Sequence, residues 1–240
     1  MMKAYMSGYE NKFAFFTELL TGSATGSIRI LEVGAHFGED TQRFLHVLGN
    51  RVDKIYCFEP DPRSIEMFEK HVNDDRVILV KAALSNKNDI LPFYQSHNST
   101  VKKVPDKYGW ISSHDYEELK LDNCGSSSLK KGYHLTLEEP IHVDTIRYDD
   151  WASKNDIDSI DLAWIDVQGA ERDVIEGMGT AIEDLKHIWI EFGEMQYEGA
   201  MSFTETVELM ASKGFSLMGT STAIPMNSSG DALFKFGATA

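Results

Sequence analysis

Short β-rich runs alternate with helix-patterned stretches along this chain, an alternation that favours a largely parallel sheet covered by helices. Ile28 to Val33 is a compact apolar strand that stops at Gly34. Glu39 to Leu48 follows as a helix, with Phe44, Leu45 and Leu48 on one face. Lys54 to Phe58 is a second strand, ended by Glu59-Pro60. Asp61-Pro62 then opens a helix running to about Val72, with Asp as its cap and Pro in its first position. Further strands are predicted at Arg76 to Ala82, Asp89 to Tyr94, Ile141 to Ile146, Ser159 to Ile165, Lys186 to Glu191, Phe215 to Met218 and Ala232 to Phe236. Helices are predicted at residues 10–20, Tyr148 to Lys154, Ala170 to Glu176 and Thr204 to Lys213.

The pattern breaks from Gln95 to Pro140, a stretch rich in Ser, Lys, Tyr and His. An irregular segment of that length is commonly a lid or a disordered insert. Its aromatic residues, Tyr108, Trp110, Tyr116 and Tyr133, leave two roles open: stacking on an acceptor, or packing a lid onto the rest of the chain. No internal repeat or dividing linker is visible. Residues 1–240 therefore read as one α/β domain, with an N-terminal helix at 10–20 and a lid or acceptor insert at 95–140.

The net charge of −15 disfavours phosphate backbones and anionic lipid heads, so neither nucleic acid nor membrane is expected as a partner. Lys102-Lys103 and Lys130-Lys131 are only doublets. No run approaches the ~20 apolar residues needed to span a bilayer, and a cytoplasmic location is expected. Cys57 lies in the apolar run Ile55-Tyr56-Cys57-Phe58 and is expected to be a buried reduced thiol. The pairs His114-Asp115 and His142 with Asp144 match no recognised ligand spacing, so no metal is expected.

In a doubly wound sheet, ligands bind beyond the carboxyl ends of the strands, where strand order reverses. Glu32-Val33-Gly34-Ala35-His36-Phe37-Gly38 follows the first strand, Glu59 the second, Asp166 a later one and Glu191 the one after. Any single strand-end acid is equally a helix cap. Gly34 and Gly38 permit a tight turn and close approach of backbone to a ligand. With an acid in front and only two glycines, the turn suits a phosphate-free ligand with a cationic end, such as S-adenosylmethionine. Glu59 is placed to accept hydrogen bonds from both hydroxyls of a ribose.

The ordered set resembles the FkbM-type family of S-adenosylmethionine-dependent methyltransferases. The residues that carry the resemblance are the Glu32–Gly38 turn, Phe58-Glu59-Pro60, Ala83-Leu84-Ser85 and Ser127-Ser128-Leu129. Val143-Asp144-Thr145-Ile146, Ile165 to Glu171 and Val174-Ile175-Glu176-Gly177 complete the series. The resemblance implies a Rossmann-like sheet of seven strands, mostly parallel with helices on both faces and an antiparallel last strand. It also implies O-methylation of a hydroxyl on a sugar, glycan or other small natural product. Carried over residue by residue, it implies cofactor contacts from Glu32, Gly34, Ala35, His36, Gly38, Glu59, Pro60, Ala83, Ser127, Ser128, Asp166 and Gln168. Asp166 and His36 are the candidates for a proton acceptor. Two positions depart from the family pattern: His36 stands where Asn is common, and Gln168 where Glu is common. Gln168 can hydrogen-bond but cannot act as a base. Two other readings stay open on the residues alone: an NAD-dependent oxidoreductase, and a catalytically silent protein that keeps the cofactor fold.

Overall fold

Fully apolar runs such as Leu162–Ile165 bury both their faces, which is how strands behave when helices cover a parallel sheet on either side. The computed structural model describes residues 4–5, 16, 18–20, 22, 26–97, 103–133, 139–193, 196–221 and 229–237. In chain order the first elements are β1 (Ala4–Tyr5), β2 (Ile28–Val33), α1 (Glu39–Leu48), β3 (Val52–Phe58), α2 (Pro62–His71), β4 (Val77–Val80), β5 (Ala83–Leu84) and β6 (Asp89–Phe93). Then come α3 (Ser113–Glu118), β7 (Ile141–Ile146), α4 (Tyr148–Lys154), β8 (Leu162–Ile165), α5 (Glu171–Gly177), β9 (His187–Phe192), α6 (Phe203–Ser212), β10 (Phe215–Thr220) and β11 (Gly230–Phe236). Of the helix expected at residues 10–20, residues 16 and 18–20 are described and are helical; the others lie outside the described residues.

The main sheet has the order β1-β10-β11-β9-β8-β2-β3-β4. The last strand, β11, runs antiparallel to both neighbours, and the other pairings are parallel. The seven-stranded sheet expected from the sequence thus forms, extended at one edge by the two residues of β1. Strand order reverses at β2, which lies between β3 and β8. Two predicted strands do not join it. Ile141–Ile146 is instead the centre of a separate sheet of order β5-β7-β6, paired antiparallel with Asp89–Phe93 and parallel with Ala83–Leu84. Their side chains explain the difference: β7 alternates between buried Val143 and Thr145 and exposed neighbours, and Ile90 of β6 is 61% exposed. Such one-sided strands suit an antiparallel layer with a wet face.

Period-two alternation divides the main core. Ile28 and Ile30 face one side, packing with Phe44, Leu45 and Leu48 of α1. Leu31 and Val33 face the other, against Ala152 of α4, Val174 and Ile175 of α5 and Met210 of α6. On the α1 side, Trp164 and Trp189 stack at 5.5 Å, and Phe16 stands edge-on to both. Glu32 continues the Ile28, Ile30 series and so points toward α1. Among the described residues, no helix is long and apolar enough to cross a membrane.

The segment after β6 gathers a third apolar cluster, in which Tyr108, Ile111, Tyr116, Leu121 and Cys124 pack on Phe37 and Met67. Its aromatics serve mainly as packing, with Tyr108 and Tyr116 buried and Trp110 stacked on His71 at 4.1 Å. Arg63 of α2 clips the segment in place, donating to the Lys120 carbonyl at 3.0 Å and the Ser127 hydroxyl at 3.0 Å.

Candidate functional site

Strand register builds the site. Phe58, Val33, Ile165 and Ile190 lie side by side across β3, β2, β8 and β9. The next residue of each strand is Glu59, Gly34, Asp166 or Glu191, so four separate strand ends deliver their groups to one edge of the sheet. Gly34 makes this possible. It has φ +87°, and a Cβ there would stand 1.9 Å from the Asp166 carbonyl oxygen. Only glycine lets the two chain segments pass this closely.

Three recesses meet at His36 and Gly125. The first is a partly open recess with about 540 Å³ of space, part of it open to solvent. Its lining is apolar at Ala83, Leu84, Phe93 and Leu129 and also carries Glu59, Asp166 and Gln168. The second, of about 590 Å³, is polar and carries the carboxylates of Glu32, Glu39, Asp40 and Asp166 beside Trp164 and Tyr108. The third, of about 550 Å³, lies against the insert, between Lys107, Tyr116 and Asn123.

Of the positions expected to contact cofactor, Gly34, His36, Glu59, Pro60, Ala83, Ser127, Asp166 and Gln168 border the first recess, and Glu32 and Ala35 border the second. Gly38 and Ser128 border neither. Gly38 instead admits α2, since a Cβ there would meet Val72 at 2.3 Å. The Ser128 hydroxyl donates to the Val167 carbonyl at 3.1 Å, tying the insert to the strand end. Sequence reasoning did not single out Phe93, Cys124 or Gly125 as site residues; they come from the second sheet and the insert and carry no local motif.

The carboxylates differ sharply in environment. Glu59 accepts from the backbone N–H groups of His36 and Asp61, both at 2.8 Å. Burial still pushes its pKa to about 7. A carboxylate has about four lone-pair positions, so two remain for a ligand's hydroxyls. Glu32 is buried against α1, accepts from the Thr41 hydroxyl at 2.5 Å and is raised by burial to about 8. Glu39 behaves oppositely: His36 beside it outweighs burial and lowers it to about 2.

His36 has φ 49°, a left-handed conformation that Asn and His enter more readily than most residues. Its Nδ1 lies 3.0 Å from the Glu39 carboxylate and its Nε2 lies 3.1 Å from the Cys124 sulfur. Burial acts against charge on this ring, but Cys124 and Glu39 raise its pKa well above the ordinary value. Gln168, also left-handed at φ 55°, uses its Nε2 to donate to Asp166 at 2.5 Å and Glu191 at 3.0 Å.

One consequence is a pH dependence of stability. Unfolded, Glu32 loses its proton near 4.5; folded, it holds the proton to about 8. Its contribution is therefore complete below about 4.5 and is lost as pH rises through about 8. The melting temperature is expected to fall between about pH 6 and about pH 9, and Glu32→Gln should flatten that slope. Parallel slopes for the two proteins would show that Glu32 ionises normally.

Residues 32–217 match the sequence profile of the Methyltransferase FkbM domain. A curated relative, the 2-O-methyltransferase NoeI of Sinorhizobium fredii (strain NBRC 101917 / NGR234), is 31% identical over 208 residues, covering 86% of this chain and 78% of that protein. The crystal structure of Methyltransferase FkbM from Methylobacillus flagellatus KT superposes with a TM-score of 0.51 at 13% identity, covering 90% of this chain. This chain spans only 46% of that protein's length, and the likeness concerns the fold.

Proposed function

Because the chain belongs to the FkbM family of S-adenosylmethionine-dependent methyltransferases, we propose that its acceptor is a hydroxyl group on a sugar, glycan or comparable small natural product. The observation that carries this reading is the contrast between two recesses joined at Gly34, His36 and Asp166. The first matches the cofactor's chemistry: an apolar wall for a flat base and Glu59 for vicinal hydroxyls. The second offers carboxylate acceptors, which suit a polyhydroxylated ligand and repel phosphate. With the net charge of −15, the same repulsion makes nucleic acid an unsuitable acceptor. The relative NoeI is named a 2-O-methyltransferase, in keeping with transfer to oxygen.

When bound, the cofactor would supply an electrophilic methyl group on a sulfonium, with a neutral thioether as the leaving group. The chain has to align the acceptor and receive its proton. We assign proton uptake to Asp166, which borders both recesses. His36, though also a sequence candidate, has partners at both ring nitrogens and a raised pKa that keeps the ring protonated, so it has no free nitrogen to take a proton. In this reading it anchors the insert through Cys124, and the insert closes the acceptor side.

The test is incubation with labelled S-adenosylmethionine and a panel of neutral sugars, phosphosugars and amines, with products identified by mass spectrometry. A methyl ether on a neutral sugar is expected. Product confined to nitrogen or to phosphorylated acceptors would overturn the reading.

A further inference from the structure

The loop after β9 brings Tyr197 onto the Asp166 strand end, although no sequence motif marks it. Tyr197 is buried, and its hydroxyl lies 2.7 Å from Gln168 Oε1 and 3.1 Å from the Ser126 carbonyl. Gly169 makes room for it: at φ +95°, a Cβ on that residue would stand 2.4 Å from Tyr197 Cβ. The tyrosine therefore seats directly on the left-handed Gln168-Gly169 turn.

The hydrogen-bond inventory fixes which way the Gln168 amide faces. Its two N–H bonds match two carboxylates, Asp166 and Glu191, and its carbonyl oxygen accepts from Tyr197. The flipped amide would turn its oxygen toward both carboxyl groups and present an N–H to neither. A glutamate at this position would set a further carboxylate against the two already there.

We propose that Tyr197 and Gln168 are positioning residues for the transfer. Tyr197 fixes the Gln168 amide, and Gln168 clamps Asp166 and Glu191 into one hydrogen-bonded set at the cavity edge. This rests on the reading of Asp166 as proton acceptor given above. Asp166 faces the cavity, and Glu191 stands behind it. The other charged or titratable groups around Glu191 are Glu171 from α5 and Asp231 from β11. On the cavity side of Asp166 stand His36, Glu32, Glu39 and Asp40. Burial first, then Asp166 and Glu171, push the Glu191 carboxyl far above the ordinary carboxylate range, so the set holds a proton at neutral pH. As the acceptor's O–H bond breaks and its oxygen bonds the methyl carbon, the released proton passes to the Asp166 carboxylate. Gln168 keeps that carboxylate oriented and its charge compensated.

The experiment follows the carboxyl C=O infrared band of the ligand-free protein against pH, with Glu191→Gln identifying the Glu191 contribution. That band is expected to persist through neutral pH in the wild type. In Gln168→Glu it should titrate about one pH unit higher, because an added negative charge favours the protonated form. In Tyr197→Phe its position and titration should both change. An assigned band that titrates identically in all three proteins overturns the proposal, whatever the activity. Turnover supplies the second readout. Tyr197→Phe is expected to lower kcat about tenfold while S-adenosylhomocysteine affinity stays near wild type. Gln168→Glu should regain activity at raised pH, and Gln168→Ala should not. Wild-type kcat and pH profiles in these variants overturn the positioning role even if the band shifts. Failure of the wild type to methylate any hydroxyl would count against the acceptor reading alone, because the infrared titration decides the clamp independently.

Discussion

Gly34→Ala is expected to lose about 4 kcal/mol of stability, at the upper end for a single substitution, together with cofactor binding. Two costs combine. The backbone at φ +87° becomes strained once a side chain is added, which costs roughly 1–2 kcal/mol. The new Cβ also overlaps the Asp166 carbonyl oxygen at 1.9 Å. That oxygen is backbone at the end of β8, so relief requires the β2 and β8 ends to part. Those ends are tied by the Asp166 N–H to the Val33 carbonyl at 3.0 Å, while Gly34 and Ala35 both donate to the Phe58 carbonyl. Separating them disturbs Glu59 and Asp166 together. Chemical denaturation and calorimetric titration with S-adenosylhomocysteine check both parts. Gly38→Ala serves as comparison, since it shares the positive φ, at +82°, but its added Cβ meets the side chains of Val72 and Phe68 rather than backbone. An unfolding midpoint and an affinity like the wild type's in Gly34→Ala would refute this account of the turn.

The second large effect is expected at Asp166. Asp166→Asn preserves shape but removes the charge, and kcat should fall about 10²- to 10⁴-fold if this carboxylate receives the acceptor's proton. S-adenosylhomocysteine affinity should change by less than about tenfold, because Glu59 and the apolar wall remain. The opposite split, with affinity lost and kcat kept at saturating cofactor, would make Asp166 a ligand for the cofactor's ammonium group instead. The variant also changes the partner of Gln168 Nε2, now 2.5 Å from Asp166. Asp166→Glu, which retains charge but moves it, separates the electrostatic part from the positional part.

Much of the architecture was legible because its causes are local. The helices at Glu39–Leu48 and Tyr148–Lys154 end where apolar spacing and flanking residues place their ends. Asp61 caps α2 by accepting from the Arg63 N–H at 3.0 Å, as Asp61-Pro62 foretold. The strands at Asp89–Phe93 and Ile141–Ile146 were found, but their sheet was not. Alternation identifies a strand without naming its partner. The glycine turn is expected from its sequence to be a ligand loop, and nothing in that sequence shows that Val72 and Phe68 lie across from Gly38. A glycine's need for positive φ does not reveal what lies across from it.

The sequence by itself determined the order of elements, the positions that require glycine, and the acids that end the strands. Periodicity and backbone preference act over a few residues, and a linear reading captures them. Tertiary structure alone decided what those acids became. Strand register set Glu59, Gly34, Asp166 and Glu191 along one edge. Folding brought Cys124 to His36 across 88 positions and Tyr197 to Gln168 across 29. Burial then drove Glu32 to about 8, while the adjacent His36 held Glu39 at about 2. Two glutamates only seven positions apart in the chain thus ended in opposite states. Desolvation and nearby charge determine a carboxyl group's protonation, and both depend on neighbours that the order of residues does not reveal.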